Sequence, residues 1–454
     1  MSDIVYWIWL SLALSPASRS FKNLLSVYKA PQNIFGADEI MAVEGLSAKE
    51  KERLSIKDLS YAEEICEFCF RNDVRILSYH DESYPRLLKN ISDPPVVLYL
   101  RGTLPDWNMR PCISVIGTRT MSYYGGEVTF DISYDLAKMG CITVSGMALG
   151  VDGVCAASTL QAGGTTVAVL GSGIDVIYPA EHEYLHECIV RNGGAVITEF
   201  APGARPEKHH FPIRNRIISG ISRASIVTEG EAGSGSLITA RRAVAQGRDV
   251  FAVPGRVGAP NSDGPLLLLK HKCAEALTCA DDIYDAYREE YLPYINAFKL
   301  LEKRSATLEH VMEKYGVVCA KPKEKMLISK EKNDKAAALE AHRKNTPGYK
   351  KRNTGNTLGK IRSFLFGDMS EESIERKEKK AEKEIEEKEL HMMKQMDEIE
   401  QKIYRQMPYG KEVHPDAIVL GNMPTEEILS VLVVMEMKGY VLGTAGGTFT
   451  KNID

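Results

Sequence analysis

The stretch from Ser145 to Arg248 holds four short apolar runs, and each breaks into a glycine-rich or basic turn. Runs of this length, separated by helix-like segments, predict parallel strands joined by helical crossovers. In such a sheet the ligand sits where strand ends meet helix starts, so function is to be sought in the turns. The most distinctive of them reads Lys208-His209-His210-Phe211-Pro212-Ile213-Arg214-Asn215-Arg216.

The alternation begins upstream. Cys112 to Ile116 reads as a strand ending in Gly117-Thr118-Arg119, and Tyr123-Tyr124-Gly125-Gly126 opens a helix to Met139. Further strands are expected at Ile142 to Val144, Thr165 to Leu170, Ala195 to Thr198, Ser225 to Thr228 and Asp249 to Val253. The fold class this predicts is α/β, a Rossmann-like open parallel sheet with helices on both faces. Val74 to Tyr79 and Val96 to Leu100 read as strands added to the edge of that sheet.

Residues 1–73 are helical in pattern with breaks at Pro16, Pro31 and Gly45, which predicts a small SAM-like or helix-hairpin-like domain. The Rossmann-like domain is expected over 74–294, followed by a charged linker, partly helical or disordered, over 295–395. Over 396–454 three helices and a hairpin predict a winged helix. Its third helix carries Glu426, Glu427 and Glu436, which phosphate would repel, so protein contact is expected there rather than duplex reading.

With a formal net charge of -4 the chain is not globally basic, and any nucleic-acid partner must be held by a local patch. The nine cysteines show no pairing pattern and read as reduced thiols of an intracellular protein, with Cys66 and Cys69 on one face of a helix. The apolar start, Ile4 to Leu14, carries Asp3 in place of a basic leader. It is shorter than the roughly 20 residues a membrane span needs. It is expected to be the first helix of a folded domain, with no membrane association.

Helix N-termini expose unpaired amides and the positive end of the dipole, and glycine lets an anion approach. The turns at Gly117 to Gly126, Ser145 to Gly150 (which includes Gly146), Gly171-Ser172-Gly173 and Gly233-Ser234-Gly235-Ser236 thus suggest a row of phosphate-sized sites, unless their glycines serve geometry alone. Ser172, Ser234 and Ser236 are placed for phosphate hydrogen bonds. Arg119 is placed to grip a phosphate, or else to make a structural ion pair. Lys208, Arg214 and Arg216 surround Phe211, a ring able to stack on an unpaired base. The alternative is that Phe211 is core and the arginines pair with Glu199 and Glu229. His209 and His210 read as surface residues. No nucleophile, base and orienter set occurs, nor a P-loop or dinucleotide fingerprint, so no cofactor and no metal are expected.

Six segments, taken together, resemble the DNA-processing protein DprA (Smf) family: 117–119, 145–152, 169–179, 211–218, 233–240 and 253–255. The resemblance runs from about Ile76 to Asp285 and more weakly into both ends. It implies a bacterial cytoplasmic protein that binds single-stranded DNA, usually as a homodimer. It also implies protection of incoming strands and loading of the RecA recombinase on them in natural transformation. The DNA pocket would use Arg119, Lys208, Phe211, Arg214, Asn215 and Arg216, assisted by amides of Gly146, Gly171, Gly173, Gly233 and Gly235. Two positions depart from the family pattern: Leu149 stands where an arginine is usual, and Gly264-Pro265-Leu266 replaces a Gly-x-Asn.

Two other readings remain. One is a nucleotide phosphoribohydrolase of the lysine-decarboxylase-like Rossmann group, whose P-G-G-x-G-T-x-x-E turn resembles Glu231 to Thr239; Thr239 occupies the place of that group's essential glutamate. The other is a partner-binding protein without DNA affinity.

Overall fold

The computed structural model describes residues 3–40, 43–296 and 306–320, then residues 393, 396–407, 413–418 and further single positions up to 451. Residue contacts divide the chain into two units, Met1–Tyr349 and Lys350–Asp454.

The first unit opens with five helices, α1 (Asp3–Ala13), α2 (Ser20–Tyr28), α3 (Pro31–Phe35), α4 (Ala48–Ser55) and α5 (Ser60–Arg71). Local chemistry sets their ends. At α4 the Ser47 hydroxyl accepts the Glu50 amide, and Glu50 reaches back to accept the Ser47 amide at 3.0 Å, a reciprocal capping box. The α1 stretch Trp7 to Leu10 is buried on all sides. It shares one apolar core with Tyr99 and Val196 of the sheet, so the helices expected as a separate domain have no core of their own.

Nine strands form one sheet, β1 (Arg75–Ser78), β2 (Val97–Gly102), β3 (Cys112–Ile116), β4 (Ile142–Ser145), β5 (Thr165–Val169), β6 (Ala195–Thr198), β7 (Ala224–Val227), β8 (Asp249–Ala252) and β9 (Glu275–Ala276). Their order is β1-β2-β6-β5-β4-β3-β7-β8-β9. From β6 to β9 every neighbour is parallel, while β1 and β2 run antiparallel, so the sheet is mixed and largely parallel rather than wholly so. The central strands are buried along their whole length, which is why they read as unbroken apolar runs.

Between the strands lie α6 (Arg86–Lys89), α7 (Tyr123–Met139), α8 (Val151–Gln161), α9 (Glu183–Arg191), α10 (His210–Ile221), α11 (Gly235–Ala245) and α12 (Asp263–Lys270), and α13 (Asp281–Tyr291) follows β9. Side chains alternate along β3: Cys112 and Ile116 join one core with Ile217 of α10 and Leu237 of α11, and Ile113 and Val115 join another with Leu136 of α7 and Ile283 of α13. The helices therefore cover both faces.

The boundary expected at 294 moves. A further helix, α14 (Leu308–Tyr315), buries Leu308, Val311 and Tyr315 in the core shared by the N-terminal helices and the sheet. Three apolar side chains at helical spacing outweigh the charged composition around them. Of the expected linker, 297–305, 321–392 and 394–395 lie outside the described residues.

In the second unit α15 (Glu398–Gln406) starts at a capping box between Asp397 and Glu400 and buries Ile403 and Tyr404. The antiparallel pair β10 (Val441–Gly443) and β11 (Phe449–Lys451) is joined by a bridge from Val413 to Phe449. Ile428, Leu432 and Met435 are buried with them. Much of the expected third helix, including Glu426 and Glu436, lies outside the described residues. Among the described residues no helix is long and apolar enough to cross a membrane.

Candidate nucleic-acid interface

The strand order reverses between β3 and β7, and the turns that follow these two strands diverge there. The gap is a cavity of about 720 Å³. It is lined by the turn after β3 with Arg119, the first turn of α10 with Phe211, Arg214 and Asn215, and the Gly233 to Ser236 turn into α11.

Arg119 is exposed, and its Cζ lies 5.8 Å from the centroid of the Phe211 ring. Phe211 is half-buried and keeps one surface against Gly171, where a Cβ would come within 3.1 Å of the ring. Tyr178, itself largely exposed, lies beside it with 5.4 Å between ring centroids. An exposed guanidinium over a supported ring is a surface on which a base and its phosphate can both be held.

Arg214 reaches the same ring, with its Cζ 5.9 Å from the centroid. It is buried rather than free: Nη1 donates to the Gly146 carbonyl at 2.7 Å and to that of Val169. A Cβ at Gly146 would meet that Nη1 at 2.4 Å, so only glycine admits the guanidinium. Burial pushes Arg214 down to about 10 while Asp152 pulls it up, so it stays charged at neutral pH. Burial likewise pushes the Asp152 carboxyl up, against the pull of Arg214 and of the Ala148 and Gly146 amides it accepts.

Three expectations need correction. Arg216 is no DNA-facing cation: it is buried in a bidentate pair with Glu199 at 2.9 and 2.7 Å, with Asp93 at 3.6 Å, so the pairing alternative holds for this arginine. Glu229 instead anchors Ser122 at the start of α7. The turn Gly171-Ser172-Gly173 is buried and folded onto itself: the Ser172 hydroxyl donates to Val176 at 2.7 Å and the Gly173 amide to Ala204 at 2.8 Å. Its small residues serve close packing. The Gly146 amide is likewise spent on Asp152 at 3.0 Å.

The turn into α11 differs. Gly233 and Gly235 are exposed with open space around them, and the helix has no side-chain cap; Leu237 donates to the Ser234 carbonyl at 3.2 Å, which leaves the Gly235 and Ser236 amides for an anion. Ser234 and Ser236 share a hydrogen bond of 2.7 Å at its mouth. Lys208 is exposed in the turn before α10 but does not line the cavity. Leu149 is half-buried in a smaller hollow beside Arg119 and Tyr178. Thr239 lines the cavity as a buried side chain whose hydroxyl turns to the Gly235 carbonyl, 3.5 Å away, so no carboxylate stands at that position.

The sequence reading missed one wall. After α14 the main chain of 317–320 is laced to the turns: Gly150 donates to Val318 and Ala320 to Arg119, both at 2.9 Å, and His182 bridges Met147 and Val318 at 3.1 Å each. On the side of 317–320 these bonds are made by the backbone, and nothing in the side chains of this segment announces them.

The family model described as DNA recombination-mediator protein A matches residues 75–288. The DNA processing protein DprA of Bacillus subtilis is 37% identical over 225 residues, which cover 50% of this chain and 75% of that protein. That of Streptococcus pneumoniae is 41% identical over 203 residues, 45% of this chain and 71% of its own. The X-ray structure of the S. pneumoniae protein superimposes with a TM-score of 0.53 at 31% identity, covering 63% of this chain and 98% of that one. With relatives this similar matched over more than two thirds of their length, and a shared α/β core, the chain belongs to the DprA (Smf) family of DNA recombination mediators.

Proposed function

We propose that this chain binds single-stranded DNA across the switch-point cavity, protects incoming strands and promotes RecA loading on them in natural transformation. It acts without a cofactor, in the cytoplasm, as a homodimer. The observation that carries this reading is the exposed Arg119 guanidinium 5.8 Å over the Phe211 ring at the rim of the cavity. Stacking plus charge accepts any base, as binding to unpaired strands requires. Phosphates are received by Arg119, by Lys208 outside the cavity and by the uncapped start of α11. The C-terminal unit is a winged helix used for protein contact.

The test is fluorescence anisotropy of oligo-dT against duplex of equal length over a salt series. Oligo-dT is expected to bind more tightly, and Arg119→Ala or Lys208→Ala to weaken it, each lowering the salt slope by about 0.7. Equal affinity for both DNAs, or variants with unchanged affinity and slope, would sink the reading. Solution mass at the same concentration tests the dimer, and RecA ATPase on SSB-coated single strands tests loading.

A further inference from the structure

The turn that leads from β6 into α10 carries Glu207, His209 and His210. A Glu207 carboxylate oxygen and one ring nitrogen of each histidine all lie within 4.8 Å of one another. The carboxylate is 3.3 Å from His209 Nδ1, and the two imidazole centroids are 4.5 Å apart. None of the three lines the switch-point cavity.

His210 is already held as a metal ligand would be. Its ring stacks on Phe200 with centroids 4.0 Å apart, and Nδ1 lies 3.1 Å from the Gly171 carbonyl. A carbonyl only accepts, so Nδ1 carries the hydrogen and Nε2 keeps its lone pair. Fixing the tautomer through a backbone carbonyl is the usual outer-shell support of a ligating histidine. His209 and Glu207 are exposed and free to swing. Tetrahedral zinc spaces its ligand atoms roughly 3.4 Å apart, so closing the group asks for rotation of these two exposed side chains toward a fixed His210.

We propose that Glu207, His209 and His210 bind a divalent transition-metal ion of the zinc and cobalt class. Two imidazoles and one carboxylate suit such an ion better than magnesium or calcium, which favour all-oxygen sites. Three protein ligands leave a fourth position for the oxygen of water or of a phosphate. Lys208 lies within the same turn, so the ion would add to the cations offered to a DNA backbone; this part rests on the strand-binding reading.

The experiment uses the full chain, reduced and stripped of metal, titrated with Zn²⁺ by calorimetry and with Co²⁺ by visible absorption. One ion per chain is expected, with no thiolate-to-cobalt charge-transfer band. Affinity should fall more than about tenfold in Glu207→Gln and in His209→Asn. No binding, a thiolate band, or wild-type affinity in both variants overturns the site. Zn²⁺ is expected to tighten oligo-dT binding by wild type and not by His209→Asn. Identical binding with and without Zn²⁺ overturns the role of the open position. Should the ion bind while metal-free protein ignores oligo-dT, the strand-binding reading falls and the metal site stands.

Discussion

Phe211 and the arginines around it show how far residue types alone locate a surface. Three cations, Lys208, Arg214 and Arg216, were legible near one ring, but not which of them would turn toward it or away. Lys208 precedes α10 and stays outside, whereas Arg214 and Arg216 lie on the helix and turn inward. Two outcomes separate the roles. Phe211→Ala should weaken oligo-dT binding by about 1–3 kcal/mol, read by anisotropy, with little change in salt slope because no charge is removed. Arg216→Ala should instead cost about 3–5 kcal/mol of stability in urea unfolding, since it strands Glu199 and Asp93 without their partner. A stable Arg216→Ala protein with impaired DNA binding would return that residue to the interface.

At the scale of elements, the alternation of apolar runs with helical stretches made the parallel strands and the edge pair legible. The helix α14 was not, because Leu308, Val311 and Tyr315 are diluted when composition is averaged over the charged residues that follow. Glycine turns were ambiguous for a related reason: small residues admit an anion or a neighbouring chain equally well, and only the fold separates 233–236 from 171–173. The lacing of 317–320 also predicts a pH response. Burial, the largest influence, holds the His182 imidazole below its ordinary value, neutral between Met147 and Val318. Unfolded, the ring titrates near ~6.5. Its contribution is whole above that pH and is lost as the pH falls toward the lowered folded value, because the unfolded chain takes up the proton first. The stability difference between wild type and His182→Gln should shrink from about pH 7.5 to about pH 5.5, by at most about 1.4 kcal/mol per pH unit. A constant difference across that range would show that the ring does not titrate with unfolding.

At the scale of the first unit, the N-terminal helices, one face of the sheet and α14 share one apolar core. A chain ended after Ala320 should keep the urea midpoint of the first unit. One ended after Tyr294 should lose several kcal/mol, since burying each of Leu308 and Val311 contributes about 1.5–3 kcal/mol. Equal midpoints would mean that α14 adds nothing to the fold. The buried triad of Asp93, Glu199 and Arg216 bears on the order in which this unit is assembled. Both acids leave the ribosome ahead of the base that neutralises them, and until α10 has been made they must stay hydrated. The antiparallel edge of the sheet, though translated first, is therefore expected to close only once α10 is in place.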